Sequence, residues 1–181
     1  SFSINQMFFF THLDNPLLLS FQSDGLYRFI NSPGFIDTKG METNLRLTYG
    51  DFKLFLGYTY TDANTRFNNT KAWLPLTAKH RLNNVLMYEI EDKLKIGLEA
   101  YYFSQQQLSD GTMGKSYWIM GLMAEKLWKK FSLFINFENF SNTRQTKFGP
   151  IYTGNINNPS FKDIYAPVDG FVVNGGIKIK L

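Results

Sequence analysis

Met41–Tyr60, METNLRLTYGDFKLFLGYTY, carries two opposite alternations hinged on Gly50-Asp51. Before the hinge, Met41, Thr43, Leu45, Leu47 and Tyr49 alternate with the polar set Glu42, Asn44, Arg46 and Thr48. After it, Phe52, Leu54, Leu56, Tyr58 and Tyr60 alternate with Lys53, Phe55, Gly57, Thr59 and Thr61. A repeat of two separates the faces of a β-strand, whereas a helix stripe would recur about every 3.6 residues. Two such runs with a two-residue break make a hairpin.

The same period recurs on both sides of this hairpin. Leu94, Ile96, Leu98, Ala100 and Tyr102 stand against Lys95, Gly97, Glu99 and Tyr101; Phe131, Leu133, Ile135 and Phe137 stand against Ser132, Phe134, Asn136 and Glu138. Weaker alternation runs through Phe2–Thr11, His80–Glu89, Ser116–Leu127 and Phe171–Leu181, giving an expectation of eight strands. Most run nine to twelve residues, close to the ~9–11 that a tilted strand needs to cross a bilayer. Short connections at Gly50-Asp51, Ile90–Lys93 and Trp128–Lys130 alternate with long breaks rich in Asn, Ser, Thr, Gly and Pro. That alternation is the mark of an up-and-down membrane barrel, with short periplasmic turns and long extracellular loops. The fold class expected is all-β: antiparallel strands of a transmembrane β-barrel.

Composition agrees. The 181 residues are 44% apolar and 17% aromatic but only 19% charged, below the ~25% charge of a soluble domain and far from a disordered composition. The longest apolar run, Tyr117–Ala124, is eight residues and contains Gly121, so no helical span of about 18 residues exists. There is no cysteine, which removes disulfide frameworks, zinc ribbons and thiol nucleophiles. Ser1–Phe10 has neither an initiator Met nor a basic, apolar, small-residue leader pattern; the expectation is a mature product or a fragment.

In hydrocarbon every backbone polar group needs an internal partner, so such strands close on themselves or on others. Glu42, Arg46, Lys53, Lys95, Glu99, Glu138, Lys178 and Lys180 are then expected to face the lumen. Tyr49, Tyr58, Tyr60, Tyr88, Tyr102 and Trp118, near strand ends on the apolar side, suit the two interfacial girdles. Two rivals are weighed: a complete small eight-stranded outer-membrane barrel with a structural or adhesive role, which would pair Phe2–Thr11 with Phe171–Leu181, and a soluble lipocalin-like binding barrel, which would turn Leu54, Leu56, Ile96, Leu133 and Ile135 inward.

Three runs carry a family resemblance: Trp73-Leu74-Pro75-Leu76 with Lys79-His80-Arg81-Leu82; Phe137-Glu138-Asn139-Phe140-Ser141-Asn142-Thr143-Arg144-Gln145; and Tyr165-Ala166-Pro167-Val168-Asp169-Gly170-Phe171. With Gly40-Met41-Glu42 at an earlier strand start, they resemble the last third of the barrel of a TonB-dependent outer-membrane receptor, in a Bacteroidota-like style. Asn174, Gly176, Ile179 and Leu181 resemble the terminal sorting signal that barrel-assembly machinery reads, with Leu181 where Phe is more usual. The resemblance implies that residues 1–181 are the C-terminal portion of a barrel of about twenty-two strands with a plugged lumen. The plug domain and TonB box would lie upstream, outside this chain. It further implies residence in the cell outer membrane and energised uptake of a scarce nutrient, foremost a ferric siderophore, haem or cobalamin, with an oligosaccharide also open. The implied partners are outer-membrane lipid, the remaining barrel and plug, the assembly machinery, TonB and the small nutrient ligand.

Ligands would enter through loops Asp14–Lys39, Asp62–Ala78, Gln105–Gly114 and Ser141–Asp169. There Tyr27, Arg28, Trp73, Arg144, Tyr152 and Tyr165 have the ring area or charge to grip a small anionic chelate or a ring. His12 and His80 lie far apart with no ligand-spaced partners in sequence, so no metal site and no cofactor are expected. No nucleophile elbow, phosphate-cradling glycine loop or carboxylate pair supports an enzyme. No contiguous basic stripe with stacking aromatics supports nucleic-acid binding. Lys126, Lys129 and Lys130 cluster instead at one short turn.

Overall fold

The computed structural model describes residues 1–180. Its strands are β1 (Phe2–Asp14), β2 (Leu17–Phe21), β3 (Tyr27–Asn31), β4 (Gly34–Tyr49), β5 (Phe52–Phe67), β6 (Thr70–Trp73), β7 (His80–Ile90), β8 (Leu94–Phe103), β9 (Tyr117–Leu127), β10 (Phe131–Glu138), β11 (Tyr152–Asn155), β12 (Asn158–Phe161) and β13 (Val172–Ile179). One 3-10 turn spans Gln145–Lys147. The main sheet is an antiparallel meander in the order β1-β4-β5-β7-β8-β9-β10-β13, with β6 folded onto β5 and two separate hairpins, β2–β3 and β11–β12. Its eight through-strands fall on the eight expected from sequence. Gly50, at φ +54°, makes the tight β4–β5 turn, a left-handed conformation that a residue without Cβ adopts freely.

Register puts the apolar positions of all eight strands on one face. Phe2, Leu47, Leu54, Leu86, Leu98, Leu122, Phe137 and Val173 are successive partners in a single row across the sheet. This face is bare: Leu98 is 37% exposed, Leu133 41% and Ile177 66%, whereas Ser132 and Glu125 on the opposite face are 3% and 8%. A single-layer sheet acquires that difference by curling toward its polar side. Among the described residues the buried apolar side chains are only Ala63, Ala78, Tyr117 and Ala166. A soluble sandwich or lipocalin reverses this arrangement; a strand array solvated by lipid produces it.

Aromatic rings bracket the apolar face. Tyr49, Phe52 and Tyr88 are partners at the short-turn end; Tyr58, Tyr60, His80, Tyr102 and Trp118 lie toward the loops. Phe52–Tyr88 and Tyr102–Trp118 are ring contacts with centroids 4.9 and 5.1 Å apart. From Phe52 to Tyr60 the strand rises about 27 Å, or roughly 20 Å along the normal at a ~40° tilt, the order of the apolar band of an outer-membrane barrel.

One feature differs from the sequence expectation. The stretches expected as loops hold further pairing: β4 starts at Gly34, β5 runs on to Phe67, and Gly34 pairs with Phe67 at the far end of the extended ladder. Above the girdle neither face meets lipid, so nothing enforces an apolar alternation there and the period fades while the hydrogen bonds continue. The sheet stays open, as a portion of a larger barrel does and the rival complete small barrel would not. β1 pairs only with β4 and β13 only with β10 among the described residues, so the β1–β13 closure required of a complete eight-stranded barrel is not formed.

Candidate functional site

The sheltered face is a polar wall. At its short-turn end Glu89 accepts from Lys53 Nζ at 2.5 Å and pairs with Lys95 Nζ at 3.1 Å. Glu125 accepts from the Ser132 hydroxyl at 2.6 Å and from Lys178 Nζ at 3.0 Å. Higher up, Asn136 donates to Asn174, which donates to Glu138, at 2.9 and 2.6 Å, and Tyr101 donates to Glu99 at 2.9 Å. Alternation sends these groups inward, and cross-strand register makes the pairs: Lys53 and Glu89 come from adjacent strands, as do Glu125 and Ser132. The expected lumen charges Lys53, Lys95, Glu99, Glu138 and Lys178 all belong to these pairs.

At the loop end, one buried residue ties the longest loop together. Gln145 is 3% exposed and uses its whole amide: Nε2 donates to the Asp163 carbonyl at 2.7 Å, and Oε1 accepts from the Tyr165 and Ala166 N–H groups at 2.7 and 3.2 Å. Tyr165 is then held by Tyr117 and Gln106, which donate to its carbonyl at 2.7 and 3.3 Å, and its hydroxyl accepts from the Lys115 N–H at 3.1 Å. Gly114 lies so close to the Tyr165 ring that a Cβ would meet it at 2.9 Å. In the neighbouring 105–114 loop, the Thr112 hydroxyl and N–H both donate to Asp110, at 2.6 and 2.9 Å, and hold its carboxyl below the usual carboxylate range. Asn139, which ends β10 at φ +47°, bonds the Thr143 N–H and carbonyl and the Asp169 carbonyl. This is the physical content of the Glu138–Asn142 run: an amide that closes the strand and anchors the loop.

Arg81 faces inward at the mouth of the wall, its guanidinium 4.9 Å from the Phe103 ring centroid. With Phe103, Gln106, Tyr117, Ile164 and Tyr165 it lines an open recess of about 260 Å³, and no carboxylate pairs with it among the described residues. A planar cation backed by rings suits an anionic or aromatic ligand group.

The sequence candidates are scattered. Tyr165 alone borders this recess. Tyr27 meets Phe21 at a tilt on the exposed β2–β3 hairpin, and Arg28 beside it pairs with Asp24. Trp73 lies under Lys79 Nζ, 4.5 Å from its centroid, beside a separate cleft of about 310 Å³. Arg144 is exposed next to Gln145, and Tyr152 sits on the β11–β12 hairpin against Phe161. Arg81 and Gln145 stand inside family-like runs without being site candidates, and Gln106 and Tyr117 have no local feature that distinguishes them from other polar or aromatic residues. Of the terminal signal, Asn174 joins the polar wall, Gly176 leaves room for the Phe134 ring, which a Cβ would meet at 2.9 Å, and Ile179 is bare on the outer face at 72% exposure. Leu181 lies outside the described residues. His12 gains Asp37 through register and also reaches Asp14 two residues along its own strand: its ring nitrogens lie 2.5 Å from Asp37 and 3.1 Å from Asp14. No group of three metal-ligating side chains occurs among the described residues.

The family model "TonB dependent receptor-like, beta-barrel" matches residues 7–140. The chain belongs to that family. This places it in the outer membrane, in a receptor family whose members are not enzymes. Three solved structures share the fold. The siderophore receptor PirA from Acinetobacter baumannii aligns with a TM-score of 0.68 at 16% identity, over 98% of this chain and 29% of that one. The FrpB iron transporter from Neisseria meningitidis aligns at 0.65 and 14%, over 97% and 28%. The ferric-catecholate import receptor Fiu from K12 E. coli aligns at 0.64 and 15%, over 97% and 25%. The chain thus spans about a quarter of the length of these receptors. No curated protein matches.

Proposed function

We propose that this chain is the C-terminal wall and loop portion of an outer-membrane receptor that takes up a scarce nutrient with energy from the TonB complex. The cargo we favour is a ferric siderophore, with haem and cobalamin next. The observation that carries the reading is the open eight-stranded sheet with a bare apolar face, a charge-paired polar face and both edges left for neighbours. Its likeness to proteins named as siderophore and iron receptors supports the cargo class. In this reading the rest of the barrel and the plug complete the wall, barrel-assembly machinery reads the C-terminal strand, and TonB acts through the upstream region. The loop cluster around Gln145 and Tyr165 holds the mouth open beside Arg81, where an anionic chelate enters; Tyr27, Arg28, Trp73, Arg144 and Tyr152 stand ready at the outer loops.

The test is growth of a strain deleted for the complete gene on ferric siderophores, haem, cobalamin or oligosaccharide as the limiting nutrient. Loss on one nutrient, restored by the intact gene and weakened by Arg81→Ala, supports the reading. Unimpaired growth on all of them refutes it.

A further inference from the structure

One outward-facing group is left over from the wall, the girdles and the loops. Lys126 lies on the apolar face, partnered across the strands with Leu94 on one side and Leu133 on the other. Two residues on, Trp128 is 40% exposed and stacked on Phe131, with centroids 4.7 Å apart and planes at 17°. Its N–H donates to the Phe131 carbonyl at 2.8 Å, closing a three-residue turn whose other members are Lys129 and Lys130, both exposed. None of the three lysines pairs with a carboxylate among the described residues. The two other short turns, Gly50-Asp51 and Glu91-Asp92-Lys93, carry acidic groups. Positive charge on this rim is therefore concentrated at one turn.

Its height and direction identify what it meets. Short turns lie on the periplasmic side, and a residue facing away from the wall at that level meets the glycerol and phosphate region of the inner leaflet. A lysine there lays its methylene stem along apolar neighbours and lifts the ammonium to the polar boundary, while an exposed indole settles at the same depth. We propose that the β9–β10 turn is a binding site for an anionic phospholipid of the inner leaflet. Lys126, Lys129 and Lys130 hold the headgroup phosphate, and the stacked Trp128–Phe131 pair lies along the upper acyl chain. The site is independent of cargo and of the transport reading; it needs only the outward orientation of the apolar face.

The test uses the complete receptor, purified and delipidated, titrated with phosphatidylglycerol or with phosphatidylcholine and read by native mass spectrometry. Phosphatidylglycerol binds in preference, and each Lys→Gln change at 126, 129 or 130 weakens it about fivefold. Lys126→Arg keeps the binding, and Lys71→Gln on the opposite rim leaves it unchanged. Unheated gel mobility shows that each variant is a folded barrel, and the remaining single variants serve if one of the three is not. Equal binding of the two lipids, an unaffected Lys126→Gln, or displacement by excess inorganic phosphate without need of the acyl chains overturns the proposal.

Discussion

Leu98 lies within the outward leucine row, partnered with Leu86 on one side and Leu122 on the other. In β7, Val85 lies one position from Leu86, faces the polar wall, and has Glu99 as its partner across β7 and β8. Two substitutions with the same added charge therefore test orientation. Leu98→Lys puts an ammonium against hydrocarbon near mid-depth, at a cost of about 2–4 kcal/mol, or roughly 30- to 900-fold in the folding equilibrium constant. Val85→Lys puts it in the watery lumen opposite a carboxylate, where a cross-strand pair of opposite charge is worth roughly 0.2–1 kcal/mol in its favour. The assay is urea-dependent unfolding of the complete receptor in phospholipid vesicles, read by unheated gel mobility, with the two variants and the parent in parallel. A large loss for Leu98→Lys beside near-parental Val85→Lys is expected. Equal costs, or a Val85→Lys variant that is the worse of the two, would refute the assignment of faces.

Gln145→Ala orphans the Tyr165 and Ala166 N–H groups, at about 1–3 kcal/mol per group; faster protease nicking of residues 141–169 with unchanged barrel unfolding is the expected result. Gly114→Ala drives a Cβ into the Tyr165 ring and should increase cleavage in both the 105–114 and 141–169 loops, since each is held by the same ring. Glu89→Gln leaves Lys53 and Lys95 as uncompensated neighbours, so the thermal midpoint should fall, with part of the loss recovered in high salt. Because the Asp110 carboxyl is held below its ordinary range, its ordering of the 108–112 turn is fully present above the unfolded carboxylate value and is lost as pH falls through the lowered one. Pepsin nicking of that loop, taken relative to nicking of an unstructured reference peptide in the same tube, should rise across that interval in the parent and stay level in an Asp110→Asn variant.

Legibility varied along the chain with what the strands touch. Where Leu45, Leu54, Ile96 and Leu133 meet lipid on one side and Arg46, Lys53, Lys95 and Ser132 meet the lumen on the other, solvent enforces a period of two and the strands can be read residue by residue. Between Gly34 and Lys39 and between Asp62 and Phe67 both faces leave the membrane, so the same ladder continues beneath a sequence that looks like loop. The candidate site was less visible still. Tyr165 stands out for its ring, yet its place is fixed by Gln145, twenty residues earlier at the end of a family-like run that gives no hint of the contact. Arg81 stood inside a family-like run but gained its setting from Phe103 and Tyr117 on the next two strands.

The sequence alone determined that the chain is an antiparallel strand array with one greasy and one polar face, because two-residue alternation is a local property and leaves each side chain only two directions. It also determined which end carries turns and which carries loops, through connection lengths. Tertiary structure decided the rest: that the sheet stays open between β1 and β13, that lumen charges pair as Lys53–Glu89–Lys95 and Ser132–Glu125–Lys178, and that the 105–114 and 141–169 loops meet at Tyr165. Those depend on register between strands and on contacts across long separations in the chain, which no local period encodes.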